Sequence, residues 1–163
     1  MGTEIERKFL LSGSKWTSLI TETIYIRQGY LSAEKERTVR VRIWGKQGKL
    51  TIKSNSINGV CDEYEYDIPL QDAQEMLDRL CYSSQIEKKR HLVPFENHLW
   101  EIDEFLGENN GLIVAEIELL DRDEQFVFPT WIAEEVTKDH RYKNSQLCFH
   151  PYLTWGPNFS KQH

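Results

Sequence analysis

The feature that most constrains this chain is a strand-like alternation in which charged residues hold one whole face. In residues 2–10, Glu4, Glu6 and Lys8 share one side, and Ile5, Arg7 and Phe9 share the other. Two carboxylates two residues apart repel each other, and Glu and Lys are weak strand formers. Such a strand is stable where its charged side looks into water or a wet cavity and its apolar side is covered. The same two-residue pairing returns along the chain. Arg40 and Arg42 fall in residues 37–44, Thr51 and Lys53 in 49–54, and Glu63 and Glu65 in 60–68. Lys88 and Arg90 fall in 84–93, Glu101 and Asp103 in 98–105, and Glu116 and Glu118 in 112–119. With residues 22–31, which place Gln28 and Tyr30 on one face, these make eight strand candidates.

The signs are segregated by strand: the first, fifth, seventh and eighth are mainly acidic, the third, fourth and sixth basic. A sheet with one charged and one apolar face can roll up around the charged one. The expected fold is therefore α+β and mainly antiparallel, a closed eight-stranded barrel with a wet, charged bore and flanking helices. Residues 71–80 supply one amphipathic helix, with Ala73, Met76, Leu77 and Leu80 as its stripe. Gly45 to Gly48 reads as a hairpin turn. After residue 120 the pattern reads as more helical: a turn at 121–126, a short element opened by Pro129 through Glu135, then residues 136–147 with Thr137 as a cap. A docked or frayed tail follows from Cys148 to His163. Trp44, Tyr64, Tyr66 and Trp100 are expected on the outer apolar jacket, and with few long helices to cover it, a homodimer is expected.

At 163 residues the chain is expected to be one domain, 1–163, with a tunnel core of about 2–119 and a helical plug and tail of about 120–163. A net charge of −6 argues against broad binding of nucleic-acid polymers or anionic membranes. No apolar run reaches the roughly 18 residues of a membrane span. Cys61, Cys81 and Cys148 show no CxxC spacing and read as reduced thiols, which points to the cytoplasm.

Acidic and basic walls side by side suit a divalent cation and a phosphate chain, because hard cations take carboxylate oxygens while phosphates take Arg forks and Lys point charges. The residues carrying this pattern also resemble a known family. Glu4-Ile5-Glu6-Arg7-Lys8 resembles the ExExK signature of the CYTH superfamily, the triphosphate tunnel metalloenzymes. The likeness continues in order through Arg27-Gln28-Gly29-Tyr30, Arg40-Val41-Arg42, Thr51-Ile52-Lys53, Glu63-Tyr64-Glu65, Glu87 to Arg90, Asp103, Glu116-Ile117-Glu118, Glu135-Val136-Thr137 and Asp139 to Asn144. It is closest to the short bacterial branch.

The resemblance implies a tunnel of eight antiparallel strands that hydrolyses or cyclises triphosphates with Mg²⁺ or Mn²⁺. By motif position, Glu4, Glu6, Asp103, Glu116 and Glu118 would be metal ligands. Lys8, Arg40, Arg42, Lys53, Lys88 and Arg90 would hold phosphates. Residues 136–144 resemble a plug helix at one tunnel mouth, with Arg141 facing the substrate. Lys8 and Lys88 would act on the reacting phosphates, Glu63 or Glu65 as general base, and Tyr30 beside a lysine. The expected activity is hydrolysis of inorganic tripolyphosphate to pyrophosphate and phosphate. The alternatives are a CYTH-type adenylate cyclase, a nucleoside or thiamine triphosphatase, and a non-catalytic polyphosphate or nucleotide binder.

Overall fold

A computed structural model describes residues 2–156. The part of the expected tail beyond Gly156, with Pro157, lies outside the described residues. Nine strands form one antiparallel sheet: β1 (Gly2–Leu11), β2 (Glu22–Glu34), β3 (Arg37–Trp44), β4 (Gln47–Ser54), β5 (Val60–Ile68), β6 (Ile86–Phe95), β7 (His98–Phe105), β8 (Ile113–Glu118) and β9 (Ile132–Glu135). Neighbours run β5-β4-β3-β2-β6-β7-β8-β1, and β5 pairs back onto β1, so eight strands close a barrel. The ninth, β9, adds to the end of β1 at Phe9 and Leu11.

Two hairpins are closed by two-residue turns with positive φ, which match the right-handed twist of their strands. Gly45 (φ 60°) opens the β3–β4 turn, and Glu96 and Asn97 (φ 47° and 67°) make the β6–β7 turn. Gly48, expected in the turn, instead lies in β4. A Cβ there would sit 2.8 Å from the Ile68 carbonyl oxygen and 3.0 Å from Ala73 Cβ, so it is glycine because a helix packs against it. That helix is α1 (Leu70–Arg79), which follows Pro69 and buries Ala73 and Leu77 on Val41 and Ile43 of β3.

Two of the three cores lie outside the barrel. One is the α1 contact. The other covers β1, β6, β7 and β8: Phe9, Val93, Trp100, Ile102, Ala115 and Ile117 pack under Trp16, Leu119, Phe126 and Trp131. Trp100 meets Phe9 and Trp131 edge-to-face at 5.6 and 5.7 Å. Each such burial contributes about 1.5–3 kcal/mol. The third core lies inside. Leu10, Tyr30, Ile86, Phe105 and Val114 share the parity of the charged inner rows and meet Tyr142, Leu147, Cys148 and Tyr152, which fill one end of the barrel.

The outer jacket holds Tyr64 and Tyr66, which are exposed, and Trp100, which is fully buried. Trp44 is not on it. It has the parity of Arg42 and lines the bore. The stretch after residue 120 is also less helical than expected. Residues 132–135 are a strand because the free edge of β1 offers backbone partners there. Residues 140–142 make a 3-10 turn, and a helix comes only at α2 (Asn144–Phe149). Thr137 caps no helix; its hydroxyl meets the backbone of Lys8.

Candidate active site

Strand register places the charged pairs opposite one another. Glu6 faces Glu118 and Lys8 faces Glu116 across β1 and β8; Glu101 faces Glu116 across β7 and β8. Arg90 faces Asp103, Arg40 faces Thr51, and Lys53 faces Glu63. Opposite residues share a face, so the inner rows converge on one cavity of about 560 Å³. Glu4, Glu6, Lys8, Tyr30, Arg40, Arg42, Lys53, Glu63, Glu65, Lys88, Arg90, Glu116 and Glu118 all line it. Asp103 and Arg141 do not.

Asp103 lies behind the cations rather than in front of them. Its carboxylate is fully buried and accepts Lys88 Nζ at 2.8 Å and Arg90 Nε and Nη2 at 2.8 and 2.9 Å. Burial alone would raise its pKa, but the two cations hold it well below the usual carboxylate range. Arg90 is raised in return, because Asp103 and Glu101 outweigh its burial. Lys88 goes down to about 8. Its burial, with Arg90 nearby, outweighs the attraction of Asp103 and Glu116. Asp103 is thus the anchor of two phosphate-binding candidates, and its oxygens are occupied.

Arg141 donates to the carboxylate of Asp139 and stacks on Tyr142 and Trp155. Lys143 takes the inner position instead, with His140 and Asn144. Lys143 is lowered by burial and by the surrounding Lys8, Lys35 and Lys53. Arg141 at the substrate is what the family resemblance implies; here residues 140–142 form a 3-10 turn in which Asp139 holds Arg141 away from the cavity lining.

The basic wall is only partly satisfied from within. Arg42 reaches Glu65 at 3.2 Å, and its burial, with Arg40 and Arg90 nearby, lowers it to about 9. The Nε atoms of Arg40 and Arg42 are buried and make no hydrogen bond among the described residues. Trp44, which the sequence reading put outside, stacks on the guanidinium groups of Arg42 and Arg90 at 4.6 and 5.2 Å. Its even spacing from Arg40 and Arg42 was the available signal. Glu65 accepts from Thr51 at 2.7 Å, and that bond with both arginines outweighs burial to lower its pKa. Tyr30 is buried, which raises its phenol, with Arg40 opposing. Its hydroxyl makes no hydrogen bond to a lysine among the described residues.

The acidic wall carries surplus negative charge. Lys53 Nζ lies 2.7 Å from Glu4, and its pKa is raised because Glu6 and Glu4 outweigh its burial. Glu118 forms no ion pair among the described residues. Burial, then Glu4, Glu101, Glu63 and Glu6, push it up to about 7. Glu116 is raised by burial and by Glu6. Among the described residues no three carboxylate, imidazole or thiol groups already surround one point. Glu6 and Glu118, with Glu4 and Glu116 beside them, are nonetheless an all-oxygen donor set whose mutual repulsion a hard cation would relieve, so they fit a divalent ion.

A closed antiparallel barrel with segregated acidic and basic inner walls defines a class of tunnel proteins. The chain belongs to the CYTH domain family, whose pattern matches residues 2–146. It is 49% identical over 152 residues to an "Inorganic triphosphatase" of Acetivibrio thermocellus, a match covering 93% of this chain and 97% of the relative. It is 36% identical over 151 residues to an "Inorganic triphosphatase" of Nitrosomonas europaea, covering 90% and 97%. Among solved structures, that of the inorganic triphosphatase NE1496 superposes with a TM-score of 0.62 at 34% identity, over 89% of this chain and 97% of that one.

Proposed function

We propose that this chain hydrolyses inorganic tripolyphosphate to pyrophosphate and phosphate in its tunnel, with Mg²⁺ or Mn²⁺ as cofactor. The observation that carries the reading is the two-walled bore: unsatisfied guanidinium donors on one side, and a carboxylate set with surplus charge on the other. Full-length similarity to two proteins named inorganic triphosphatase supports the choice of substrate.

A triphosphate resists attack by water because its own negative charge repels the nucleophile. Lys8, Arg40, Arg42, Lys53, Lys88 and Arg90 offset that charge from several directions, and preorganised donors of this kind stabilise the transition state more than the ground state. Lys143 adds a cation near the mouth. Glu6 and Glu118, flanked by Glu4 and Glu116, would hold the divalent cation. When bound, that ion polarises phosphate oxygens and lowers the pKa of water. Glu65 is engaged by Thr51 and Arg42, which leaves Glu63, 3.5 Å from Lys53, as the freer carboxylate to orient the attacking water. Tyr30, kept protonated by burial, is a donor at the cavity wall.

The reading also holds that the chain acts as one domain in the cytoplasm, where its three cysteines stay reduced. No helix among the described residues is long and apolar enough to cross a membrane. Self-association through the exposed outer face of β4 and β5, where Ile52, Tyr64 and Tyr66 stand, is part of the same proposal and is read by light scattering. The deciding experiment is phosphate release from tripolyphosphate, ATP and thiamine triphosphate, with each metal and with chelator. Metal-dependent turnover fastest on tripolyphosphate supports the proposal. Cyclic AMP formed from ATP, or tight binding without turnover, overturns it.

A further inference from the structure

The strand that carries Glu6 and Lys8 is not held by a continuous ladder on both edges. One edge pairs with β8 from Glu6 to Leu10. The other pairs with β5 from Gly2 to Ile5, and with β9 only at Phe9 and Leu11. Residues 6–8 lie in the gap, at the position where the candidate metal-binding and phosphate-binding side chains stand.

Three non-ladder contacts bridge that gap. The Glu6 N–H donates to the Gly59 carbonyl at 3.0 Å. The Val136 N–H donates to the Lys8 carbonyl at 2.8 Å. The Lys8 N–H donates to the Thr137 hydroxyl at 3.0 Å. The hydroxyl has one proton, and Glu135 Oε2, 2.6 Å away, accepts it, so its lone pair is turned to Lys8. Glu135 is fixed in turn by both arms of Arg7, at 2.9 and 2.7 Å. The Arg7 guanidinium lies against Phe9 and Phe126 at 5.3 and 5.2 Å.

We propose that Thr137 is a positioning residue for the reaction: its hydroxyl, oriented by the Arg7–Glu135 pair on the outside of the barrel, sets the backbone at Lys8 and so the placement of the Glu6 and Lys8 side chains inside it. Residue 7 points outward and residues 6 and 8 inward, so one tripeptide carries both the clamp and what it positions. The inference rests on the tunnel being a triphosphatase, since only then does Lys8 placement control a rate.

The test compares wild type with Thr137→Val, which keeps the shape and loses the hydroxyl, and Thr137→Ser, which restores it. Steady-state kinetics on tripolyphosphate are read together with hydrogen exchange at the Lys8 amide. Thr137→Val is expected to lower kcat by ~10- to 100-fold while KM moves less than ~3-fold, because an ångström of misplacement acts on the transition state more than on binding. Its Lys8 amide exchanges faster, and Thr137→Ser returns both readings toward wild type. A Thr137→Val protein with wild-type kcat and a lowered Tm assigns Thr137 to stability alone and overturns the proposal, as does a serine variant as impaired as the valine one. Should wild type not turn over tripolyphosphate, the functional reading fails, while unchanged Lys8 exchange in Thr137→Val overturns the clamp independently.

Discussion

Replacing Asp103 by Asn separates two accounts of the tunnel. The variant keeps the side chain's shape and one carbonyl oxygen. It removes the one charge that, among the described residues, Lys88 and Arg90 both contact through hydrogen bonds. Taking one partner from a buried ion pair costs about 3–5 kcal/mol, a large share of a domain's stability. A second effect falls on Lys88. In the native protein burial already brings it from 10.5 to about 8, with Arg90 repelling and Asp103 opposing the fall. That shift corresponds to about 3 kcal/mol held against the ammonium form.

The sign of the pH dependence follows. Between about 8 and 10.5 the native state has released the Lys88 proton and the unfolded state still holds it, so this group makes the wild type more stable as pH rises through that window. Asp103 acts at the other end: its depressed pKa contributes stability above the ordinary aspartate value, and this is lost as pH falls below it. In Asp103→Asn the acid-side term disappears, and Lys88 drops further because its main attraction is gone.

The assays are chemical denaturation, kcat/KM on tripolyphosphate from pH 6 to 9, and a metal titration. The alkaline limb is expected to move down by ~1 unit or more, with KM raised at pH 8 and partly recovered at pH 6.5. The metal concentration for half-activation should change less than the alkaline limb, since the Asp103 oxygens are taken up by Lys88 and Arg90. An unmoved pH limb together with a large rise in metal requirement refutes the anchoring role and returns Asp103 to the ligands.

Three further outcomes follow from the same geometry. Lys143→Ala should raise KM for tripolyphosphate ~10-fold, whereas Arg141→Ala should change it less than ~2-fold; steady-state kinetics decide, and the reverse order restores Arg141 to the tunnel. Trp44→Ala removes the face on which Arg42 and Arg90 stack, a loss of about 1 kcal/mol per arginine that should appear as weaker substrate binding in calorimetry. Glu118, pushed up to about 7, is largely protonated at pH 6, so Mn²⁺ binding should strengthen from pH 6 to 8 and release a proton near pH 7. Calorimetry in buffers of different ionisation enthalpy counts that proton.

What the sequence made legible was parity. Alternation in residues 2–10, 37–44 and 112–119 was enough to put Glu6, Lys8, Arg42 and Glu118 on one face, because a strand leaves a side chain only two directions. Depth was not legible. Glu101 and Asp103 share a parity, yet Glu101 lines the cavity and Asp103 is sealed behind Lys88 and Arg90. The aspartate is one methylene shorter, and its cross-strand neighbour is Arg90, a fact of register that no single strand contains. Residues 132–135 were illegible for a related reason. Ile-Ala-Glu-Glu has little strand character, and it is a strand because β1 offers it an edge.

The bore is also not uniformly wet, which changes how its charges behave. Along β2 the inner face reads Ile24, Ile26, Gln28 and Tyr30, opposite Trp44, Arg42 and Arg40 on β3, and Lys88 on β6 lies across from Ile26. Leu10, Phe105 and Val114 continue this apolar lining into the filled end of the barrel. The candidate phosphate-binding cations therefore stand on a low-dielectric floor rather than in water. That floor is why Lys88 and Arg42 are drawn down to about 8 and about 9 while remaining next to carboxylates. It also strengthens their attraction for an entering polyanion, because a charge that water screens poorly acts strongly on its partner. A polar substitution at Ile26 that admits water should accordingly raise the Lys88 pKa and weaken the grip on substrate together, whereas a raised pKa would strengthen the grip if Lys88 acted by its protonated fraction alone.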